Sequence, residues 1–292
     1  MAEIGSIKTS PTGLKPGLYI VATPIGNLGD LSDRAREVLG GVDLVACEDT
    51  RVTAKLMTAN LIKKPLTPYH EHNGAAARPK LLERIAEGAA VALVSDAGTP
   101  LISDPGFKLV AEAQDAGHYV TAIPGPCAAV MALSLAGLPT DRFLFMGFPP
   151  SRSAARQAWF KEDAKTNASL VYYESTRRLP ESLADAATAL GGEREAAVCR
   201  EMTKKFEEVR RSTLDQLTSQ YAESGAPKGE AVVVVGPPAK ETGSEAAEID
   251  ADDLLKAALK HMSVKSAAAF VADITPARKK DLYRRALELS GK

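Results

Sequence analysis

Ala90-Val91-Ala92-Leu93-Val94-Ser95 runs without a break into Asp96-Ala97-Gly98-Thr99-Pro100-Leu101-Ile102-Ser103-Asp104-Pro105-Gly106, and this stretch decides the fold. Its first part is short and almost wholly apolar, the pattern of a strand buried on both faces of a parallel sheet. The second part carries acids, glycines, prolines and hydroxyl residues. Prolines and glycines fix the shape of such a loop, and its polar groups stand at the C-terminal end of a strand, where α/β proteins bind ligands. An elaborate turn with no ligand would look similar, but irregular loops in that position hold function more often than not.

The same unit recurs on either side. Leu18–Ala22, Val42–Ala46 and Tyr119–Ile123 are expected to be buried strands. Leu31, Ala35, Val38 and Leu39 share one helical face that Gly40-Gly41 stops, and Pro126–Ala136 is a helix of small residues. The first strand leads into Thr23-Pro24-Ile25-Gly26-Asn27-Leu28-Gly29-Asp30, and the last into Ile123-Pro124-Gly125-Pro126-Cys127-Ala128-Ala129. Gly26 and Gly29 alone do not make the G-x-G-x-x-G of a Rossmann domain. Tight turning or close helix–strand packing would also explain these glycines, and either is compatible with a ligand.

Phe143–Gly147 is a further strand, after which Pro149-Pro150-Ser151 breaks the pattern. Beyond it, strands are expected near Leu170–Glu174, Glu195–Cys199 and Ala231–Val235, with another at Lys204–Val209 that would make this sheet mixed. Leu179, Leu183, Ala186, Ala187 and Leu190 mark a helix between them. Ala239–Ile249 is polar and reads as a linker. The rest is helical in pattern, with helices near 251–261, 264–273 and 276–290, Ser263 and Thr275 as N-caps and Pro276 at a first helical position. The chain is thus read as α/β: an N-terminal extension (1–16), an N-terminal lobe (17–140), a C-terminal lobe (141–238), a linker (239–250) and a small C-terminal helical module (251–292).

Over 292 residues, 45% hydrophobic and 25% charged side chains give the profile of a soluble globular protein with ample core. The formal charge of −1 excludes a uniformly basic coat but leaves room for a local patch. Cys47, Cys127 and Cys199 are scattered without CxxC spacing, as expected of reduced thiols in a cytoplasmic protein. No segment approaches the apolar length of a membrane span, and no signal peptide is evident. His70-Glu71-His72 places two histidines at i and i+2 without an evident third ligand, so no metal site is expected.

Glu48-Asp49-Thr50-Arg51 closes the second strand and faces the same rim as the three loops. Its acids are candidates for proton transfer, although Asp49 or Thr50 could equally cap a helix. Asp96, Asp104, His70 and His72 complete the set of candidate bases. In the tail, Leu282, Tyr283, Ala286, Leu287 and Leu289 fall on one half of the last helix, with Arg278, Lys280, Arg284 and Arg285 on the other and Lys279 near its start. Lys256, Lys260 and Lys265 add charge nearby. A solvated amphipathic helix explains this face on its own terms; on a separate three-helix module, phosphate binding explains it better.

Taken together, the three loops, Phe145-Met146-Gly147-Phe148-Pro149-Pro150, Tyr173-Glu174-Ser175, Cys199-Arg200-Glu201-Met202-Thr203-Lys204 and Lys228-Gly229-Glu230 resemble the tetrapyrrole-methylase-type, or class III, S-adenosylmethionine methyltransferases. The Thr23–Leu28 start, Glu48–Arg51 and Ser95–Gly106 are similar to the subgroup that 2′-O-methylates a cytidine of 16S rRNA in the small ribosomal subunit. The resemblance covers residues 17–236 and extends into the tail. It implies a homodimer of two-lobed subunits with S-adenosylmethionine in the cleft between lobes. It places cofactor contacts at Pro24, Gly26, Asp96, Gly98, Thr99, Pro100, Ser103, Gly125, Cys127, Ala128, Glu174 and Gly229. Catalytic roles are expected among Glu48, Asp49 and Asp96, and RNA contacts at Arg51, Lys265, Lys279, Lys280, Arg284 and Arg285. Gly98-Thr99-Pro100 stands where tetrapyrrole methylases usually carry Gly-Asp-Pro, which weighs against a precorrin or uroporphyrinogen substrate. A third alternative is a non-catalytic RNA-binding assembly factor on the same scaffold.

Overall fold

The computed structural model describes residues 13–239, 251–275 and 277–290. Most of the N-terminal extension (1–12), most of the linker (240–250) and Pro276 lie outside the described residues. The chain divides into two compact units, Met1–Pro238 and Ala239–Lys292.

The first sheet holds β1 (Gly17–Val21), β2 (Leu44–Cys47), β3 (Leu66–Pro68), β4 (Ala90–Val94) and β5 (Val120–Ile123), all parallel, in the order β3-β2-β4-β1-β5. Helices α1 (Asp33–Gly41), α2 (Thr50–Ala59), α3 (Gly74–Ala86), α4 (Phe107–Asp115) and α5 (Ala128–Leu135) join or follow these strands. Every residue of β4 is buried, as a central strand covered by helices requires. The strand order sets β4, β1 and β5 side by side, so the loops leaving them share one rim. It also sets the end of β2, with Glu48 and Asp49, next to the β4 loop.

The sequence contains no sign of β3. It is three residues long, ends on Pro68 and has no fully buried residue, too short and too exposed for a periodic signal.

The second sheet orders β6 (Phe143–Gly147), β7 (Ser169–Ser175), β8 (Glu195–Arg200), β9 (Glu208–Thr213) and β10 (Glu230–Val235) as β6-β7-β10-β8-β9. Only β6 and β7 pair in parallel, so the sheet is mixed. Helices α6 (Ser153–Glu162), α7 (Leu179–Leu190) and α8 (Leu214–Ser224) accompany it, and their side chains Phe160, Leu179, Leu183, Leu217 and Tyr221 bury one face. On the other face, Ala129, Ala132 and Leu133 of α5 pack on Val171, Ala197, Cys199, Val232 and Val234. Alternation along β7 explains the division: Leu170 and Tyr172 point one way, Val171 and Tyr173 the other. The small-residue helix α5 therefore shares a core with the second sheet and holds the two lobes together.

The strand expected at Lys204–Val209 begins later, at Glu208. Residues 201–207 form a turn in which Glu201 and Thr203 take positive φ (50° and 67°). The Lys204 amide donates to the Glu201 carbonyl (3.0 Å), and the Thr203 amide to the Glu207 carboxylate (2.7 Å).

In the C-terminal unit, α9 (Ala251–Leu259), α10 (Val264–Ile274) and α11 (Lys279–Leu289) enclose Leu255, Ala268, Val271, Leu282 and Ala286. Ser263 caps α10, its hydroxyl accepting from the Ser266 amide (3.3 Å). Thr275 does not cap α11. It closes α10, its hydroxyl donating to the Val271 carbonyl (2.7 Å), and α11 begins after Arg278 without a side-chain cap. Among the described residues, no helix is long and apolar enough to cross a membrane.

Candidate active site

The three loops leaving β4, β1 and β5 are laced into one rim. Thr23 and Gly98 form an isolated antiparallel bridge, the Thr23 amide donating to the Gly98 carbonyl (2.9 Å) and the Gly98 amide to that of Thr23 (3.1 Å). The Thr23 hydroxyl donates to the Ser95 carbonyl (3.2 Å), and the Thr99 hydroxyl to the Pro126 carbonyl (2.9 Å). Leu101 and Ser103 sit at φ 75° and 63°, each at a cost on the order of 1–3 kcal/mol that the surrounding bonds must offset. Such conformations concentrate at functional sites.

Between this rim and the second sheet lies a cavity of about 400 Å³, inside the range of roughly 300–1,000 Å³ usual for small-molecule sites. From the first half, Gly98, Thr99, Ser103, Asp104, Cys127 and Ala128 line it. From the second half come Phe148 after β6, Tyr173 and Glu174 of β7, the Glu201-Met202 turn and Gly229 before β10. The aromatic wall is built edge to face, Tyr173 lying 4.9 Å from Phe145 and 5.3 Å from Phe148 between ring centres.

Of the residues expected to touch a cofactor, Pro24, Gly26, Asp96, Pro100 and Gly125 lie outside the cavity lining. At two of the glycines an added Cβ would meet packed neighbours. A Cβ at Gly125 would stand 2.9 Å from the Cβ of Ala22, and one at Gly26 would stand 2.6 Å from Cγ of Lys204. Gly98 differs: at φ 87°, its nearest neighbours for an added Cβ are Ile25 Cγ2 at 3.5 Å and the Pro126 carbonyl at 3.8 Å. The Glu174 carboxylate is not presented to the cavity either. It is fully buried and accepts from Arg178 Nε (2.9 Å), Arg178 Nη2 (3.1 Å) and the Ser175 amide (2.8 Å).

None of Glu48, Asp49 and Asp96 lines the cavity. Asp49 caps α2, accepting from the Arg51 amide (2.8 Å), and ion-pairs with the Arg51 guanidinium (2.6 Å). These bonds hold its carboxyl down to about 2. Asp96 accepts from the Asp49 amide (3.0 Å), which ties the β4 loop to the start of α2. Burial and the neighbouring Asp96 raise the Glu48 carboxyl above its usual range. Asp104 is the acid of this group that reaches the cavity. Burial pushes it up to about 6, with Glu48 and Asp96 adding to the effect and a hydrogen bond from Ser95 opposing it. His70 stands near Glu48, and its ring centre is 6.1 Å from that of His72. Among the described residues, no group of three His, Cys, Asp or Glu side chains is placed to hold a metal ion.

In the C-terminal unit, the cations of α11 fall into two sets. Arg285 is committed to Asp252 of α9 (Nε to Oδ1, 2.9 Å) and to Glu288 (2.7 Å), and Arg284 to Asp281 (3.1 Å). Lys279 and Lys280 are exposed and, with exposed Lys265 on α10, make no ion pair among the described residues. At 100° per residue, Lys279, Tyr283 and Lys280 share one flank of α11, while Asp281, Arg285 and Glu288 share the opposite one.

Comparison with known proteins agrees with this architecture. Residues 17–218 match the family model of the Tetrapyrrole (Corrin/Porphyrin) Methylases, and residues 245–290 match the RsmI C-terminal HTH domain. A protein of Erythrobacter litoralis named ribosomal RNA small subunit methyltransferase I is 51% identical over 94% of this chain and 96% of its own length. A Mesorhizobium japonicum protein of the same name is 49% identical over 98% and 96%. The crystal structure of diphthine synthase shares the fold, with a TM-score of 0.58 and 18% identity over 75% of this chain and 89% of that one. The β4-β1-β5 rim, the mixed second sheet and the helical C-terminal unit thus belong to a known design, and the chain is a member of the tetrapyrrole (corrin/porphyrin) methylase family, within its ribosomal RNA small subunit methyltransferase I group.

Proposed function

We propose that the protein uses S-adenosylmethionine to methylate the 2′-hydroxyl of a cytidine in 16S rRNA. The observation that carries this reading is the near-full-length similarity to ribosomal RNA small subunit methyltransferase I proteins, through both the methylase fold and the helical unit. The cavity residues fit the cofactor: the space is nucleoside-sized, and Gly98 leaves one wall open where a side chain would intrude. When bound, the cofactor supplies a methyl group already activated on a sulfonium. What remains for the protein is mainly alignment, worth ~7–11 kcal/mol at best.

In this reading Gly98, Thr99, Ser103, Cys127, Ala128 and Gly229 hold the cofactor, and Arg178 clamps Glu174 to keep the end of β7 in place. Lys265, Lys279 and Lys280 contact RNA phosphates, with Arg284 beside them and Arg51 at the rim of the first lobe. Arg285 braces α11 on α9. Two copies pair in the cytoplasm, as the resemblance implies, and light scattering checks the pairing. Gly98-Thr99-Pro100 and the helical unit weigh against a tetrapyrrole substrate.

The test is mass spectrometry of 16S rRNA nucleosides from cells with and without the gene. It is paired with methyl transfer in vitro to small subunits from the deletion strain. Loss of one 2′-O-methylcytidine, restored by the purified protein, is the expected result. An unchanged rRNA, with methylation of uroporphyrinogen or a precorrin in its place, would establish the small-molecule reading. RNA binding without transfer would establish the scaffold reading.

A further inference from the structure

Helix α11 buries Leu282 and Ala286 in the core of the helical unit. Hydropathy groups Tyr283 with them on the apolar half of the helix, yet Tyr283 is 42% exposed and takes no part in that core. Among the described residues its ring packs on no other ring and its hydroxyl has no hydrogen-bond partner. The cation–π contacts of the described residues lie elsewhere, at Tyr119, Phe206 and Tyr221. An aromatic ring left this open is a large apolar surface without a partner in its own unit.

Its surroundings on the helix are positive. The four positions one turn away are Lys279, Lys280, Ala286 and Leu287, none of them acidic. Aromatic side chains on a helix lean back over the preceding turn, here the turn that carries the two lysines. Both lysines are exposed and make no ion pair among the described residues, whereas Arg284 and Arg285 are matched by Asp281, Asp252 and Glu288. The acids of α11 therefore neutralise one flank and leave the Tyr283 flank with uncompensated charge.

Resting on the function proposed above, we infer that Tyr283 is a stacking site for an unpaired nucleobase of the RNA, with Lys279 and Lys280 on the phosphates beside it. An unpaired nucleotide offers both features that this flank lacks, an open π-face and a neighbouring anion. Paired RNA offers only the second, because its bases are stacked within the helix. The helical unit thus selects a single-stranded segment, and the ring adds affinity that salt does not screen.

The test uses the full chain, a labelled single-stranded RNA of mixed sequence and the blunt duplex of that strand, with affinity read by fluorescence anisotropy. Tyr283→Leu keeps the apolar bulk and removes the π-face, and should weaken single-strand binding by ~5–150-fold. Tyr283→Phe should stay within about twofold of the wild type, because stacking needs the ring and not the hydroxyl. The slope of log K against log salt should be unchanged in both, since no phosphate contact is lost. Duplex affinity should be the same in all three proteins. Single-strand binding by Tyr283→Leu equal to the wild type overturns the proposal, and so does an equal loss on the duplex. A Tyr283→Phe variant as weak as Tyr283→Leu overturns it too, because the hydroxyl would then be the contact. Displacement of the RNA by polyglutamate at equal charge would mark the flank as a site for acidic protein and overturn it as well. A wild type that binds neither RNA overturns the RNA function itself. Binding and methylation of 16S rRNA that ignore Tyr283 overturn the stacking site alone.

Discussion

Replacing Gly125 by alanine tests whether the small residues of the third loop serve the ligand or the fold. An added Cβ would lie 2.9 Å from the Cβ of Ala22 and 3.6 Å from its carbonyl oxygen. Real Cβ atoms do not approach so closely, and both partners are anchored, Ala22 at the end of β1 and Gly125 just after β5. Overpacking of one methyl into such a place costs ~1–3 kcal/mol. At about 2–4 °C per kcal/mol for a unit of this size, the melting midpoint should drop by roughly 2–12 °C. Ala22→Gly removes the colliding atom, so the double variant Ala22→Gly/Gly125→Ala should regain at least half of that loss. Calorimetry should show S-adenosylmethionine affinity nearly unchanged in any variant that remains folded. The control is Gly98→Ala, whose methyl would stand at the cavity wall. It should weaken cofactor binding, and Ala22→Gly should do nothing for it. The reasoning is refuted if Gly125→Ala melts like the wild type but binds the cofactor tenfold more weakly.

The sorting of cations on α11 predicts that Lys279→Gln/Lys280→Gln lowers RNA affinity and reduces the slope of log K against log salt by about 1.4–1.8, near 0.7–0.9 per lost phosphate contact. Arg285→Gln should leave that slope unchanged and instead loosen the helical unit, as hydrogen exchange in α9 and α11 would report. Asp185→Asn should destabilise the second lobe by ~3–5 kcal/mol, because it strips the nearer carboxylate (2.6 Å) from Arg156, which is 1% exposed, and leaves it only the exposed Glu181 at 3.8 Å. Burial alone would raise the Asp185 carboxyl, but hydrogen bonds from Gln157, Ser153 and Arg156 outweigh it and hold the group below its usual value. The folded-state value lies below the unfolded one. The stability from this group is therefore complete above about pH 4 and lost as pH falls through the lower value. Acid melts should show that loss in the wild type and a flatter profile in Asp185→Asn.

Local pattern carried most of the fold. Ala90–Val94 is legible as a central strand because its five residues are all apolar, and burial of both faces leaves no other reading. The βα alternation, the break after Gly147 and the Ser263 cap follow from short-range rules in the same way. Those rules fail where the deciding contact is distant in sequence. Gly125 and Gly98 look alike in the chain, yet one packs on Ala22 and the other borders the cavity, because β1 lies between β4 and β5. Glu201 and Thr203 lie in a polar run with no periodic signal, and their left-handed backbone is set by the Lys204 and Glu207 contacts. Arg285 and Lys280 are equal as sequence, but only the packing of α9 against α11 brings Asp252 to the first and leaves the second in water. Glu48, Asp49, Asp96 and Asp104 were visible as candidates, whereas Glu201 and Glu230, which line the cavity, carried no such signal. Which of them reach the cavity, and which are already neutralised by arginine or lysine, was decided by tertiary structure. A carboxylate's basicity depends on burial and on charges within a few ångströms, and these neighbours are brought together only by folding.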